Sequence, residues 1–141
     1  IHEARAGGAD VILLIASLLD PEQVIEMVKV AHDLGMEVLL ECHAEEELDR
    51  WIPEIDMIGV NSRNLATLET DTRRFESMVT MLPQEALWVA ESGISTADEI
   101  ERVRQLGYSG FLIGDAFLSS SLPHKACAKM VRDLHAFNPP T

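Results

Sequence analysis

Five short apolar runs, at 11–15, 37–42, 56–60, 87–91 and 110–114, punctuate this chain, and helical pattern follows each of them. Runs apolar at nearly every position, and rich in Val, Ile and Leu, read as strands of a parallel sheet shielded by helices on both faces. Alternation of β and α in this way means a parallel sheet with right-handed crossovers. The units are roughly 20 to 30 residues long, the size of a strand with its crossover helix. A weak internal repeat supports the pattern: Leu34-Gly35 leads into Val38-Leu39-Leu40 much as Leu106-Gly107 leads into Phe111-Leu112-Ile113. Two architectures fit, part of an eight-stranded (β/α)8 TIM barrel or an open five-stranded flavodoxin-like sheet.

Punctuation residues set the helix limits. Glu3 to Gly8 reads as the tail of a helix ending at Gly7-Gly8, so the chain is expected to enter mid-helix, as a piece of a longer protein. Asp20-Pro21-Glu22 starts a helix, with Asp20 as its cap, Pro21 in its first turn and an acid after it. Val24, Ile25, Val28, Ala31 and Leu34 form its apolar face, and Gly35 ends it. Further helices are expected over 44–51, stopped near Pro53, over 72–81, broken by Pro83, and over 96–106, with Gly107 beyond the end. A short helix near 116–118 and a final one over 123–136 precede a frayed tail, Asn138-Pro139-Pro140-Thr141.

At 141 residues the chain has the length of one domain, and 47% hydrophobic content is enough to bury a core. A net charge of −13 with no basic cluster argues against nucleic acid and anionic membranes as partners. No run approaches the ~20 apolar residues of a membrane span, and no secretory leader is expected. Cys42 and Cys127 lie outside any C-x-x-C, which suits a reducing cytoplasm, and the five histidines show no metal-ligand spacing.

Chemistry in either architecture collects where strands end. Those ends are Glu41, Asn61 with Arg63, Glu91 with Ser92 and Gly93, and Gly114 with Asp115. Glu41 at the mouth of an apolar core suits a general base, although it also suits a cap on the next helix. Asn61 can equally form an Asx-turn, and Arg63 beside it can grip a carboxylate bidentately. His43 reads as structural or solvated. Gly93 and Gly114 let backbone N–H groups approach a ligand closely, so the two turns together make a phosphate cup.

These residues resemble indole-3-glycerol phosphate synthase. The resemblance rests on Glu41 after Val38-Leu39-Leu40, on Ile58-Gly59-Val60-Asn61-Ser62-Arg63-Asn64-Leu65, on Ala90-Glu91-Ser92-Gly93-Ile94-Ser95, and on Phe111-Leu112-Ile113-Gly114. It implies the C-terminal part of a single TIM-barrel domain, its fourth to eighth strands, from 1 to 141. It implies a tryptophan-pathway lyase that closes and decarboxylates 1-(2-carboxyphenylamino)-1-deoxyribulose 5-phosphate to indole-3-glycerol phosphate, with no metal or cofactor. By the same resemblance, Glu41, Asn61 and Ser92 are catalytic. Arg63 and Leu65 line the anthranilate end, Glu91 is a substrate-side acid, and Gly93, Gly114 and the Asp115 backbone hold phosphate. Asp115 departs from family members that carry Ser there.

The family's first three strands carry two lysines and another glutamate, and ring closure needs a general acid. The only lysines here, Lys29, Lys125 and Lys129, fall in helical pattern and not at a strand end. The chain alone is therefore expected to be inactive. Five strands also leave open edges and apolar interior, so self-association through those edges, or a partner supplying the first half of the barrel, is expected. Competing readings are the related phosphoribosylanthranilate isomerase, which fits Glu41 and Asn61-Ser62-Arg63 less well, a phosphate-binding or assembly half-barrel without turnover, and an FMN carrier.

Overall fold

Each apolar run forms a strand. In the computed structural model, which describes residues 1–137, these are β1 (Val11–Ile15), β2 (Glu37–Cys42), β3 (Met57–Asn61), β4 (Leu87–Glu91) and β5 (Gly110–Leu112). All neighbours pair in parallel, and their order across the sheet is the order of the chain. A flavodoxin-like sheet places its second strand outside the first, so the open-sheet alternative is excluded and a stretch of barrel wall remains. The expected tail, 138–141, lies outside the described residues.

Local rules account for the helices. In α2 (Pro21–Asp33) the Asp20 carboxylate accepts from Gln23 N–H at 2.8 Å while the Gln23 side chain accepts from Asp20 N–H at 3.1 Å, a reciprocal cap. Val24, Val28 and Ala31 are buried, and Gly35 turns the chain at φ +70°. Ile25 does not join that face. It is exposed, because it sits about 100° round the helix from Val24 and outside the stripe. A short α1 (His2–Ala6) precedes β1, and α4 (Ala97–Gln105), α5 (Asp115–Leu118) and α6 (Pro123–Phe137) follow the later strands.

Two expected α-helices are reduced. Residues 44–51 form a 3₁₀ helix over Glu45–Arg50. Three successive glutamates, no side-chain cap and Pro53 close behind leave too little to hold an α-helix. The helix expected over 72–81 narrows to α3 (Arg74–Met78), because the Asp71 carboxylate draws Arg73 N–H into a turn before it and Met81 N–H closes a tight turn on Met78 after it. A further 3₁₀ turn, Ala16–Leu18, follows β1.

Helices cover one face of the sheet, not both. Ile12, Leu14, Val38, Leu40, Ile58, Val60, Trp88 and Ala90 from the strands pack with Val24, Val28, Phe75, Met78, Ile100 and Val103 from the helices. Tyr108 stacks edge-on against Phe75 and Trp88 and donates to the Phe75 carbonyl at 3.2 Å. The alternate strand residues face the other way, and there Val11, Leu13, Leu87 and Leu112 are exposed. This second face is the concave inside of the barrel wall, apolar because a closed barrel fills its interior with side chains.

The α4 cap has a measurable effect. The Thr96 hydroxyl accepts from Glu99 N–H at 3.2 Å, and Glu99 returns the contact to Thr96 N–H at 3.0 Å. Thr96→Ala should lower stability by about 1 kcal/mol in urea denaturation.

Candidate active site

Strand register gathers the strand-end residues. Glu41 lies level with Gly59 and Ile15, and Asn61 lies level with Glu91, which is level in turn with Leu112. The side chains of Glu41, Asn61 and Glu91 share the concave side, and together with Ser92, Gly93 and Gly114 they line one cavity of about 640 Å³ at the carboxyl ends of the strands. Arg63 and Asp115 complete its wall. Leu65 does not join them. It is half exposed and borders a separate small hollow with His43 and Glu47, while Leu68, held at φ +62°, faces the main cavity instead.

Glu41 and Glu91 are both almost fully buried, 6% and 4% exposed, with no lysine beside either. Burial pushes the Glu91 carboxyl up to about 9, and the Glu41 carboxyl next to it adds to the rise. At neutral pH Glu91 is thus a protonated acid beside a second carboxyl, and its Oε1 is buried with no hydrogen-bond partner among the described residues. His43 is not solvated: its Nε2 lies 3.3 Å from Glu41 Oε1 and its Nδ1 lies 3.7 Å from Glu47 Oε2, close enough for charge but off the line of a hydrogen bond. Cys42 points into the helix-covered core, where burial first, then Glu47 and Glu41, push its thiol up to about 12, so it stays an unreactive thiol.

Backbone constraints hold the remaining groups. Asn61 makes an Asx-turn, its Oδ1 accepting from Arg63 N–H at 2.9 Å, while its carbonyl accepts from Arg74 at 2.8 Å. Arg63 donates to the Leu68 carbonyl at 3.0 Å and forms an ion pair with Asp115 across the cavity rim. Ser92 has φ +66°, a left-handed conformation that a non-glycine residue adopts at a cost, and the Ser62 hydroxyl secures its carbonyl at 3.0 Å. Beyond it, the N–H groups of Ser95 and Thr96 are taken by Glu99 at 2.8 and 3.0 Å. Those of Gly93 and Ile94 bond no acceptor among the described residues and are the donors this turn offers.

The two glycine turns differ in what they demand. Gly93 has φ +69°, and a Cβ there would come within 2.8 Å of Ser62 Oγ and 3.0 Å of Thr72. A Gly114 Cβ would meet nothing within 4 Å. Gly93→Ala should therefore cost about 1–2 kcal/mol of stability and weaken binding of inorganic phosphate, with Gly114→Ala nearly neutral in urea denaturation.

A family profile for indole-3-glycerol phosphate synthase matches residues 1–130. The indole-3-glycerol phosphate synthase of Bacteroides thetaiotaomicron is 46% identical over 123 residues, covering 87% of this chain and 47% of that protein. That of Delftia acidovorans is 40% identical over 131 residues, covering 92% and 49%. The chain thus spans about half the length of the relatives it matches. Among solved structures, 3-hexulose-6-phosphate synthase from Salmonella typhimurium superposes with a TM-score of 0.75 at 16% identity, over 94% of this chain and 64% of that one. A chain of the tryptophan synthase α2β2 complex from Pyrococcus furiosus gives 0.69 at 16%, over 95% and 58%. At such identity the likeness concerns the fold alone. With five parallel strands in barrel order, and a match running from the first residue to the middle of α6, the chain belongs to the indole-3-glycerol phosphate synthase family.

Proposed function

We propose that the protein carrying this chain is a carbon–carbon lyase of tryptophan biosynthesis in the cytoplasm, closing and decarboxylating 1-(2-carboxyphenylamino)-1-deoxyribulose 5-phosphate to indole-3-glycerol phosphate. The chain supplies the C-terminal part of one barrel domain. The supporting observation is the single cavity that joins Glu41, Asn61, Glu91 and Ser92 to the Gly93 and Gly114 turns. In it Glu41 removes the proton, and Asn61 and Ser92 hold the substrate and the intermediate. Arg63 receives the carboxylate of the anthranilate end, once released from Asp115, with Leu68 and not Leu65 on that side of the cavity. The N–H groups about Gly93, Gly114 and Asp115 bind the phosphate. Glu91 stands beside Glu41 as a substrate-side group.

The general acid is not within this chain. Lys29 and Lys129 are engaged with Asp33 and Asp133 on the outer surfaces of α2 and α6, and Lys125 lies on α6, so none of the three lines the cavity. The purified 141-residue chain should therefore give no indole fluorescence from the substrate above background, because proton transfer and positioning are each worth orders of magnitude. Co-expression with the first half of a relative's barrel should restore turnover, with that half covering Val11, Leu13, Leu87 and Leu112. Turnover by the chain alone would overturn the assignment of the general acid to the missing strands. A second reading, a half-barrel that binds a phosphorylated ligand and associates through its open face without turnover, draws on the same exposed apolar face. Phosphate binding with no turnover even after complementation would favour it.

A further inference from the structure

Gly59 sits in the interior of β3, where glycine packs nothing and costs backbone entropy, and its φ is not among the left-handed glycines that a turn would require. The position instead accommodates a neighbour's head group. A Cβ on Gly59 would overlap Glu91 Oε1 outright, and it would lie 2.9 Å from Glu91 Cδ and 3.3 Å from Leu39. Gly59 is also level with Glu41 on the adjoining strand. The Glu91 carboxyl thus lies over the backbone of β3, in the same row as Glu41. We propose that Gly59 is a positioning residue: its missing side chain is the socket that seats the Glu91 carboxyl against Glu41. The catalytic consequence rests on the synthase reading above, whereas the socket rests on geometry alone.

Burial and the neighbouring Glu41 carboxyl favour the protonated form of Glu91, and its Oε1, seated over Gly59, has no hydrogen-bond partner among the described residues. Around the pair, Glu41 comes from β2 with His43 behind it, Asn61 comes from β3, and Arg63 and Asp115 stand across the cavity. None is a lysine, and Arg63 is already paired with Asp115. With a methyl group on Gly59, the flexible end of Glu91 would swing into the open cavity, where the two carboxyls ionise separately while the strand survives.

The test is a carbon-13 NMR titration of the 141-residue chain labelled at glutamate Cδ, with Glu91→Gln assigning the resonance. The parent should show the Glu91 carbon titrating far above the ordinary carboxylate range. Gly59→Ala should lower its proton affinity at least 100-fold with an unchanged circular dichroism spectrum. Ile58→Val, which trims the core on the opposite face of the same strand, should leave that midpoint in place. An unmoved midpoint in a folded Gly59→Ala chain overturns the socket. If Gly59→Ala fails to fold, Gly59→Ala with Glu91→Asp should fold again, because the shorter acid makes room for the methyl. A double variant that also fails to fold overturns the socket as well. The titration uses neither substrate nor turnover, so loss of the synthase reading leaves it intact. Restored turnover with an unmoved midpoint removes the socket alone.

Discussion

Glu41→Gln should lower turnover of the reassembled barrel by about 10²–10⁴-fold, the usual worth of a positioned acid–base group. Glu41 ends an apolar strand and is 6% exposed, so water does not easily substitute for its carboxylate. Glutamine keeps the shape and fills the same space beside His43, but it cannot accept a proton from the substrate. The loss should therefore fall on kcat, with KM changing little and binding of inorganic phosphate at the glycine turns unaffected. Steady-state indole fluorescence on the complemented protein checks this. A change smaller than threefold would remove Glu41 from the proton transfer and leave His43, 3.3 Å away, as the group to test next.

The second large effect concerns stability against pH. The Glu91 carboxyl is raised from 4.5 to about 9 by burial and by Glu41. Below the unfolded value, folded and unfolded chains both hold this proton, and the stability it carries is fully present. Between the two values only the folded chain keeps the proton, so stability falls as pH rises, and the contribution is gone once pH passes about 9. Glu91→Gln stays neutral throughout and should flatten this decline. In urea denaturation the variant should match the parent near pH 4 and exceed it by on the order of several kcal/mol near pH 9. Parallel pH curves for the two proteins would show that Glu91 ionises normally in the folded chain.

Much of the architecture was legible locally. Asp20 before Pro21, and Gly35 and Gly107 past helix ends, are signals carried by residues within one or two turns of each other, and all three act as expected. The strands were legible because burial leaves apolar residues at nearly every position. Marginal segments were not. Residues 44–51 satisfy helical composition, yet a segment so short is decided by a few tenths of a kcal/mol in capping and charge.

Composition and local pattern by themselves determined the alternating α/β order, the strand-end placement of Glu41, Asn61, Glu91 and Ser92, and the absence of any lysine among them. Only the tertiary structure decided that the strands run in barrel order, that Leu68 and not Leu65 faces the cavity, that Arg63 is held by Asp115, and that Gly59 makes room for Glu91. The meaning of the glycine inside β3 required the β3–β4 register. Capping and periodicity act between residues a few positions apart, so the chain displays them directly. A cavity is built from residues tens of positions apart, brought level by parallel pairing, and a shift of one residue in that pairing would turn each of these side chains to the opposite face.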